Sequence, residues 1–310
     1  MNRQTYDLII IGGGPAGLTA GLYAARSKLK TLLLEKLPLP GGQTMNAWML
    51  ENYPGFPDGI SGRELMKKME TQARNFGLTI ETGEVKEIKN SGDMKQVVCE
   101  EKDCVTRTII VATGASPSRL GADGEERLMG RGISFCGTCD GFFFKDKEVI
   151  LVGGGDTAME EALFLTRFVK KLSVVHRRDA LRATKVLQDR AFANDKISFI
   201  WDTVVDGIEG EESVERVILK NVKTGDVLKK ETDGIFVFVG TVPNTQCLTG
   251  VVDLDKQGFV LTDENMETSA SGLFAAGDVR KKILRQISTA VGDGATAAFA
   301  AEKYIESFHS

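Results

Sequence analysis

The sequence predicts an α/β protein in which one strand–turn–helix–strand plan is used twice. Three observations carry this expectation. Buried-looking apolar runs end in glycine clusters at Gly12-Gly13-Gly14 and at Gly153-Gly154-Gly155. Each cluster opens a helical pattern and is followed by a second apolar run. The residue that ends that second run stands at the same offset in both copies: Glu35 lies 23 positions after Gly12, and His176 lies 23 positions after Gly153.

In the first copy, "YDLIIIGGGPAGLTAGLYAARS" reads as a strand, a tight turn and a helix, with Leu18, Leu22 and Ala25 at helical spacing. "KTLLLEK" is the next strand. Gly12, Gly14 and Gly17 form G-x-G-x-x-G, with Pro15 and Ala16 between them. Such a unit binds an adenine dinucleotide: the glycines admit the pyrophosphate to the backbone, and the helix N-terminus faces its charge. A carboxylate such as Glu35 accepts hydrogen bonds from the ribose hydroxyls.

The second copy, "KEVILVGGGDTAMEEALFLTRF" then "KLSVVHRRD", carries Gly153, Gly155 and Ala158 in the same pattern. His176 replaces the carboxylate, and Arg177, Arg178 and Arg182 follow. Guanidinium groups there favour a ribose bearing a 2′-phosphate. The first copy is therefore expected to hold FAD or NAD and the second NADPH. Taken alone, "HRRDALRATK" also suits a solvated basic helix start.

Both copies continue as short strands with polar turns, closed by apolar strands ending at Gly114 and Gly240. "GLFAAGDVRKKILRQISTAVGDGATAAFAAEKYIES" reads as one more strand, the turn Gly277-Asp278 and a long helix from about Gln286. It completes the first copy, so the second is inserted in it. The expected fold is two Rossmann-like dinucleotide-binding domains of three-layer ββα type. The FAD-binding domain spans 1–116 and 245–310, and the NADPH-binding domain spans 117–244.

The 310 residues suffice for two domains. A net charge of −4 and 26% charged residues argue against a general nucleic-acid or anionic-membrane binder. No run approaches the roughly 20 apolar residues that span a bilayer. The N-terminus enters its first strand without a cleavable signal, so a cytoplasmic location is expected. The five cysteines do not suggest a secreted disulfide scaffold. With only His176 and His309, a multi-histidine metal site or histidine base is not expected. Cys136 and Cys139 form Cys-x-x-Cys, which is catalytic or metal-binding more often than structural in a reducing compartment. A zinc site would need Cys99 and Cys104 as well, and these are not a second close pair.

With "GGGPAG", "GGQTMNAWMLENYPG", "ATGASP", "CGTCDG", "GGGDTAMEEA", "HRRDALRA", "FVFVGTVPNT" and "GDVRKKILRQISTAVGDG" in this order, the chain resembles bacterial-type, low-molecular-weight thioredoxin reductases. These are a branch of the flavoprotein disulfide reductases with two dinucleotide domains. The resemblance covers essentially the whole chain. Gly137-Thr138 stands where Ala-Thr is associated with the family, and Pro38 and Pro40 mark a variant flavin-side loop.

The resemblance implies an NADPH-dependent thioredoxin-disulfide reductase that works as a cytoplasmic homodimer, without metal. Electrons pass from NADPH to FAD, then to the Cys136–Cys139 disulfide, then to thioredoxin by thiol–disulfide exchange. Cys139 is expected to face the flavin and Cys136 to attack the partner. Asp140 is expected to protonate a departing thiolate, although it could equally cap the turn before "GFFF". FAD contacts are expected from Gly12, Gly14, Pro15, Ala16, Gly17, Glu35, Gly42, Gln43, Asn52, Val85, Gly114, Gly277, Asp278, Arg285, Gln286 and Ile287. NADPH contacts are expected from Gly153, Gly155, Asp156, Thr157, Glu160, His176, Arg177, Arg178 and Arg182. Glu160 also suits a solvated helix face, and Gly277-Asp278 a plain turn. Rotation of the NADPH domain, hinged near 114–119 and 240–245, would let disulfide and nicotinamide take turns at one flavin face.

Other readings are a reductase of a glutaredoxin- or peroxiredoxin-linked dithiol protein, or of ferredoxin. The cysteine pair argues against ferredoxin, and a chain that begins at its first strand leaves no room for the extra segment of peroxide-scavenging systems. A redox-sensing flavoprotein without turnover is the non-enzyme alternative. Cys99, Cys104 and Cys247 are expected to be small buried hydrophobes.

Overall fold

The computed structural model describes residues 5–47, 49–50, 52–91, 93–100 and 103–308. Trp48 and Glu51 of the expected flavin-side segment, and His309, lie outside them. The chain forms two compact units, one of residues 1–46, 53–116 and 242–310, the other of residues 47–52 and 117–241.

The first unit begins with β1 (Thr5–Ile11), α1 (Pro15–Arg26) and β2 (Thr31–Glu35), followed by α2 (Gly62–Asn75) and β3 (Thr79–Thr82). Then come β4 (Val85–Ser91), β5 (Met94–Cys99) and β6 (Cys104–Val111). The strand order is β3-β2-β1-β6-β5-β4, parallel from β3 to β6 and antiparallel from β6 to β4. One edge of β6 pairs with β1 along its whole length. Its other edge is shared: Val97 faces Cys104 on the β5 side, while further along Leu273 faces Ile109. Alternation in β5 and the fully buried β2 show why: the parallel strands are covered on both faces, and the meander is not.

The chain leaves this unit through β7 (Ala115–Pro117). The second unit contains α3 (Glu125–Leu128), β8 (Ile133–Ser134), α4 (Gly137–Asp140), β9 (Glu148–Gly153), α5 (Asp156–Leu165) and β10 (Lys171–Val175). It continues with α6 (Lys185–Phe192), β11 (Ile197–Ile200), β12 (Thr203–Glu209), β13 (Arg216–Asn221), β14 (Val227–Glu231) and β15 (Gly234–Phe238). Its parallel sheet has the order β11-β10-β9-β15-β8, beside an antiparallel β12-β13-β14 sheet. The central strands carry Ile150, Leu151, Val174 and Phe236, all fully buried.

The chain returns through β16 (Thr241–Pro243), which pairs with β7. It then supplies β17 (Leu273–Ala275) and α7 (Ile287–Glu306). α7 lies on α1 so closely that a Cβ at Gly294 would come within 2.2 Å of the Ala16 carbonyl oxygen. The small residues of this expected helix are those that allow this approach. No helix among the described residues is long and apolar enough to cross a membrane.

Candidate active site

In the first unit β1 runs into a loop that requires glycine. Gly12 has φ +105°, and a Cβ there would meet the Ala112 carbonyl oxygen at 2.4 Å. A Cβ at Gly17 would come within 1.8 Å of the Gly12 carbonyl oxygen. Gly14, the N-cap of α1, has nothing within 4 Å of where a Cβ would stand. Pro15 follows at the first helical position, where its missing N–H costs nothing. The glycines thus divide into those that let the chain pack and one that keeps the helix mouth open.

Glu35 ends β2 and is buried. Its Oε2 accepts the Gly13 N–H at 2.7 Å and its Oε1 accepts the Leu37 N–H at 3.0 Å. The Glu35 carbonyl accepts from Gly83, two residues before Val85. A Cβ at Gly42 would stand 3.5 Å from the Gly14 Cα, and one at Gly277 (φ +80°) would meet the Ala16 Cβ at 2.9 Å. Gly12 to Gly17, Glu35, Gly42 and Gly277 are therefore gathered around one helix mouth. Gly114 stands beyond β6 at φ +68° with open space beside it. Gln43 and Asn52 are exposed, and Asn52 is grouped with the other unit.

Asp278 follows Gly277 in a 3-10 turn. Its Oδ1 is buried and has no hydrogen-bond partner. Burial pushes this carboxyl up, and Lys282 and Arg285 partly offset the effect. The Arg285 guanidinium lies 4.0 Å from the centroid of Phe259, and burial lowers its proton affinity. Gln286 is the N-cap of α7, with its N–H donated to the Thr289 hydroxyl at 3.2 Å, and Ile287 is the first helical residue. One residue supports this whole corner without having been expected. Asp293 accepts the Gly277 N–H at 3.0 Å and Lys282 Nζ at 2.7 Å on Oδ2, and Arg280 at 3.0 Å on Oδ1. All three ionic side chains are nearly buried.

The second unit repeats the loop with different chemistry. A Cβ at Gly153 would meet the Phe238 carbonyl oxygen at 2.6 Å, whereas Gly155, the N-cap of α5, is again open. A Cβ at Gly154 would strike the His176 ring at 2.4 Å. His176 is 5% exposed, stacks edge-on to Trp201 and has a buried, unpartnered Nε2. Burial, with Arg182 and Arg178, lowers its proton affinity. His176 thus fills the place beneath the loop. The Arg182 N–H donates to the Gly154 carbonyl at 2.7 Å, and Asp156 accepts the Thr184 N–H at 2.5 Å. Arg177, Arg178, Arg182, Thr157 and Glu160 are exposed. Among the described residues, none of these three arginines makes an ion pair.

Cys136 and Cys139 are joined in a disulfide with Cα atoms 5.3 Å apart. Cys136 is the N-cap of the single-turn α4. Its N–H donates to the Ser134 hydroxyl at 3.1 Å, and that hydroxyl donates to Asp140 at 2.6 Å. Asp140 makes no cap bond with its side chain. Burial raises its proton affinity, with Ser134 opposing. A second carboxyl flanks the same turn: Glu161 of α5, which no sequence motif singled out. The remaining thiols are buried or half-buried, and burial pushes Cys99 and Cys247 up to about 11.

Residues 6–294 match the family model described as pyridine nucleotide-disulphide oxidoreductase. The chain belongs to that family. The thioredoxin reductase of Listeria innocua is 48% identical over 98% of this chain and 95% of its own. That of Bacillus subtilis is 45% identical over 98% and 96%. The crystal structure of thioredoxin reductase from Streptococcus pyogenes superposes with a TM-score of 0.91 at 51% identity, covering 98% of this chain and 99% of the other. Within its family this oxidoreductase therefore lies in the low-molecular-weight, bacterial-type thioredoxin reductase branch.

Proposed function

We propose that this chain is an NADPH-dependent thioredoxin reductase, with 1–116 and 245–310 as its FAD-binding domain and 117–244 as its NADPH-binding domain. The observation that carries the reading is the Cys136–Cys139 disulfide, built into the same unit as a glycine loop flanked by free arginines.

Both cofactors fit residues that are present. The open mouth at Gly14 suits a pyrophosphate, Glu35 suits a ribose, and the donorless Asp278 Oδ1 suits a hydroxyl of the flavin side chain. Gly155 gives the second mouth, and Arg177, Arg178 and Arg182 supply charge for a 2′-phosphate. Bound FAD supplies the two-electron link between NADPH and the cysteine pair.

The protein's own part follows from the pair. Once the bond is reduced, the Cys136 thiolate attacks one sulfur of the thioredoxin disulfide, forming a mixed disulfide and releasing the other sulfur as a thiolate. Cys139 then attacks Cys136, restoring the internal bond and freeing reduced thioredoxin. Asp140, buried and raised, retains a proton at higher pH than an ordinary aspartate and can give it to a departing sulfur. The resemblance implies a rotation of the NADPH-binding domain about 114–119 and 240–245, which would let the disulfide and a bound nicotinamide take turns at a bound flavin. The resemblance further supports a homodimer in the cytoplasm.

The test is NADPH oxidation by the FAD-loaded protein with a bacterial thioredoxin, run beside Cys139→Ser. Turnover that disappears in the variant is the expected result. Flavin reduction by NADPH without turnover of thioredoxin would overturn the substrate assignment.

A further inference from the structure

Two carboxyl groups flank the cysteine turn, and the reading above uses only Asp140. Glu161 lies on α5, next to the exposed Glu160. Its Oε2 stands so near Gly137 that a Cβ there would come within 2.2 Å of it, while Leu165, one turn on, closes the same place at 3.3 Å. Gly137 separates the cysteines and is the first residue of α4, just after its N-cap Cys136. The Cys136 sulfur is turned to this first turn, 3.3 Å from the Thr138 hydroxyl. Glu161 therefore sits beside the N–H groups that a Cys136 thiolate would use.

We propose that Glu161 is a positioning residue for the redox-active pair: its buried carboxyl seats the Cys136–Cys139 turn on α5 and governs how readily Cys136 forms its thiolate. The inference rests on the reading of this pair as the electron relay. No bond is made to Glu161 and no electron passes through it.

The physical argument is competition for the same donors. Backbone N–H groups beside a cysteine sulfur stabilise its thiolate by hydrogen bonding. The Gly137 and Thr138 amides also favour an ionised Glu161, but burial outweighs them and pushes its carboxyl up to about 7. Oε2 has no hydrogen-bond partner of good geometry among the described residues. A neutral Glu161 leaves the amides to the sulfur. An ionised one occupies them and places a like charge beside it, so the two groups titrate as a coupled pair.

Few other charges intrude. Glu160 on α5 disfavours ionisation of Glu161. On α4, Asp140 is turned to Ser134. The charged side chains of β9, β10 and α6 (Glu148, Lys171, Lys185, Asp189, Arg190) do not bear on it.

The test is the rate of iodoacetamide labelling of Cys136 between about pH 5.5 and 8, in FAD-loaded protein reduced with dithiothreitol and read by peptide mass spectrometry. The Glu161→Gln rate is expected to equal that of wild type near pH 5.5, where both side chains are neutral. It should exceed wild type by on the order of tenfold near pH 7.5, the effect of one like charge at close range. A ratio constant across the range, as a merely structural disturbance would give, overturns the proposal. Should Glu161→Gln fail to fold, Glu161→Asp withdraws the carboxyl by one methylene. The wild-type inflection near pH 7 is then expected to move, and superimposable profiles overturn the proposal. Replacing dithiothreitol by NADPH separates the two claims: wild-type labelling after dithiothreitol but not after NADPH sinks the relay and leaves the Glu161 comparison standing.

Discussion

The Glu35 carboxylate accepts the Gly13 N–H at 2.7 Å, so the residue proposed to face a ribose also ties down the loop proposed to face the pyrophosphate. Glu35→Ala should therefore do two kinds of damage. Hydrogen bonds to a charged acceptor contribute about 1.5–3 kcal/mol, so FAD affinity should fall tenfold or more. Thermal stability of the apoprotein should fall too, because the Gly13 and Leu37 N–H groups lose their acceptor. Flavin fluorescence titration and calorimetry measure the two effects, and an apoprotein Tm equal to wild type would refute the bracing role.

Gly14 and Gly17 stand three residues apart and should respond oppositely to alanine. Gly17→Ala drives a methyl into the Gly12 carbonyl oxygen and should prevent folding or cost several degrees of Tm. Gly14→Ala has open space and an extended backbone, so the apoprotein should keep its Tm. Its FAD affinity should nonetheless drop, since the methyl would lie where the pyrophosphate is proposed to approach. Soluble, stable Gly17→Ala protein would contradict the packing argument.

Arg177 and Arg178 are exposed on the loop after β10. In the double alanine variant kcat/KM for NADPH should fall by about a hundredfold, since each charge-assisted hydrogen bond contributes about 1.5–3 kcal/mol. The value for NADH should change little. Parallel loss with both nucleotides would mean that these side chains do not meet the 2′-phosphate.

Asp293→Asn removes the anion that serves both Arg280 and Lys282. Breaking a buried ion pair at one partner costs about 3–5 kcal/mol. The urea midpoint should fall accordingly, with looser FAD binding because the one remaining oxygen cannot serve Gly277, Lys282 and Arg280 together. An unchanged midpoint would show that the cluster is solvated.

His176 contributes an acid sensitivity. Its proton affinity is lowered in the folded protein from an ordinary pKa of 6.5, so the unfolded chain binds the proton more readily. Stability from this group is fully present above about pH 6.5 and is lost as pH falls toward the lowered folded value. His176→Gln should flatten the stability profile below pH 6.5 in urea unfolding, whatever it does to the absolute value. A slope matching wild type would assign the acid sensitivity to other groups.

Local grammar made much of this molecule legible. Apolar runs ending in glycine gave β1 and β9. The equal offsets to Glu35 and His176 located the ends of β2 and β10, because a strand–helix–strand unit has little freedom in its length. The small-residue run after Gln286 became α7. Residues whose meaning lies in contacts between distant segments stayed hidden. Glu161 reads as one more acidic residue on a helix until α4 is laid against α5. Asp293 reads as one polar residue of a small-residue helix until α7 brings it to Gly277. His176 was placed correctly at its strand end, yet its buried ring depends on Gly154 having no side chain, which spacing does not reveal.

The division of β6 between two partners has a consequence for biosynthesis. A ribosome delivers β6 early, but the strand that pairs with its far half, β17, emerges more than 160 residues later. The second unit, residues 47–52 and 117–241, is complete before β17 is made, so it can fold while the first unit waits. Until β17 and α7 arrive, the far half of one edge of β6 and the face of α1 that α7 covers stay open, and that interval is when the nascent chain is most exposed to mispairing.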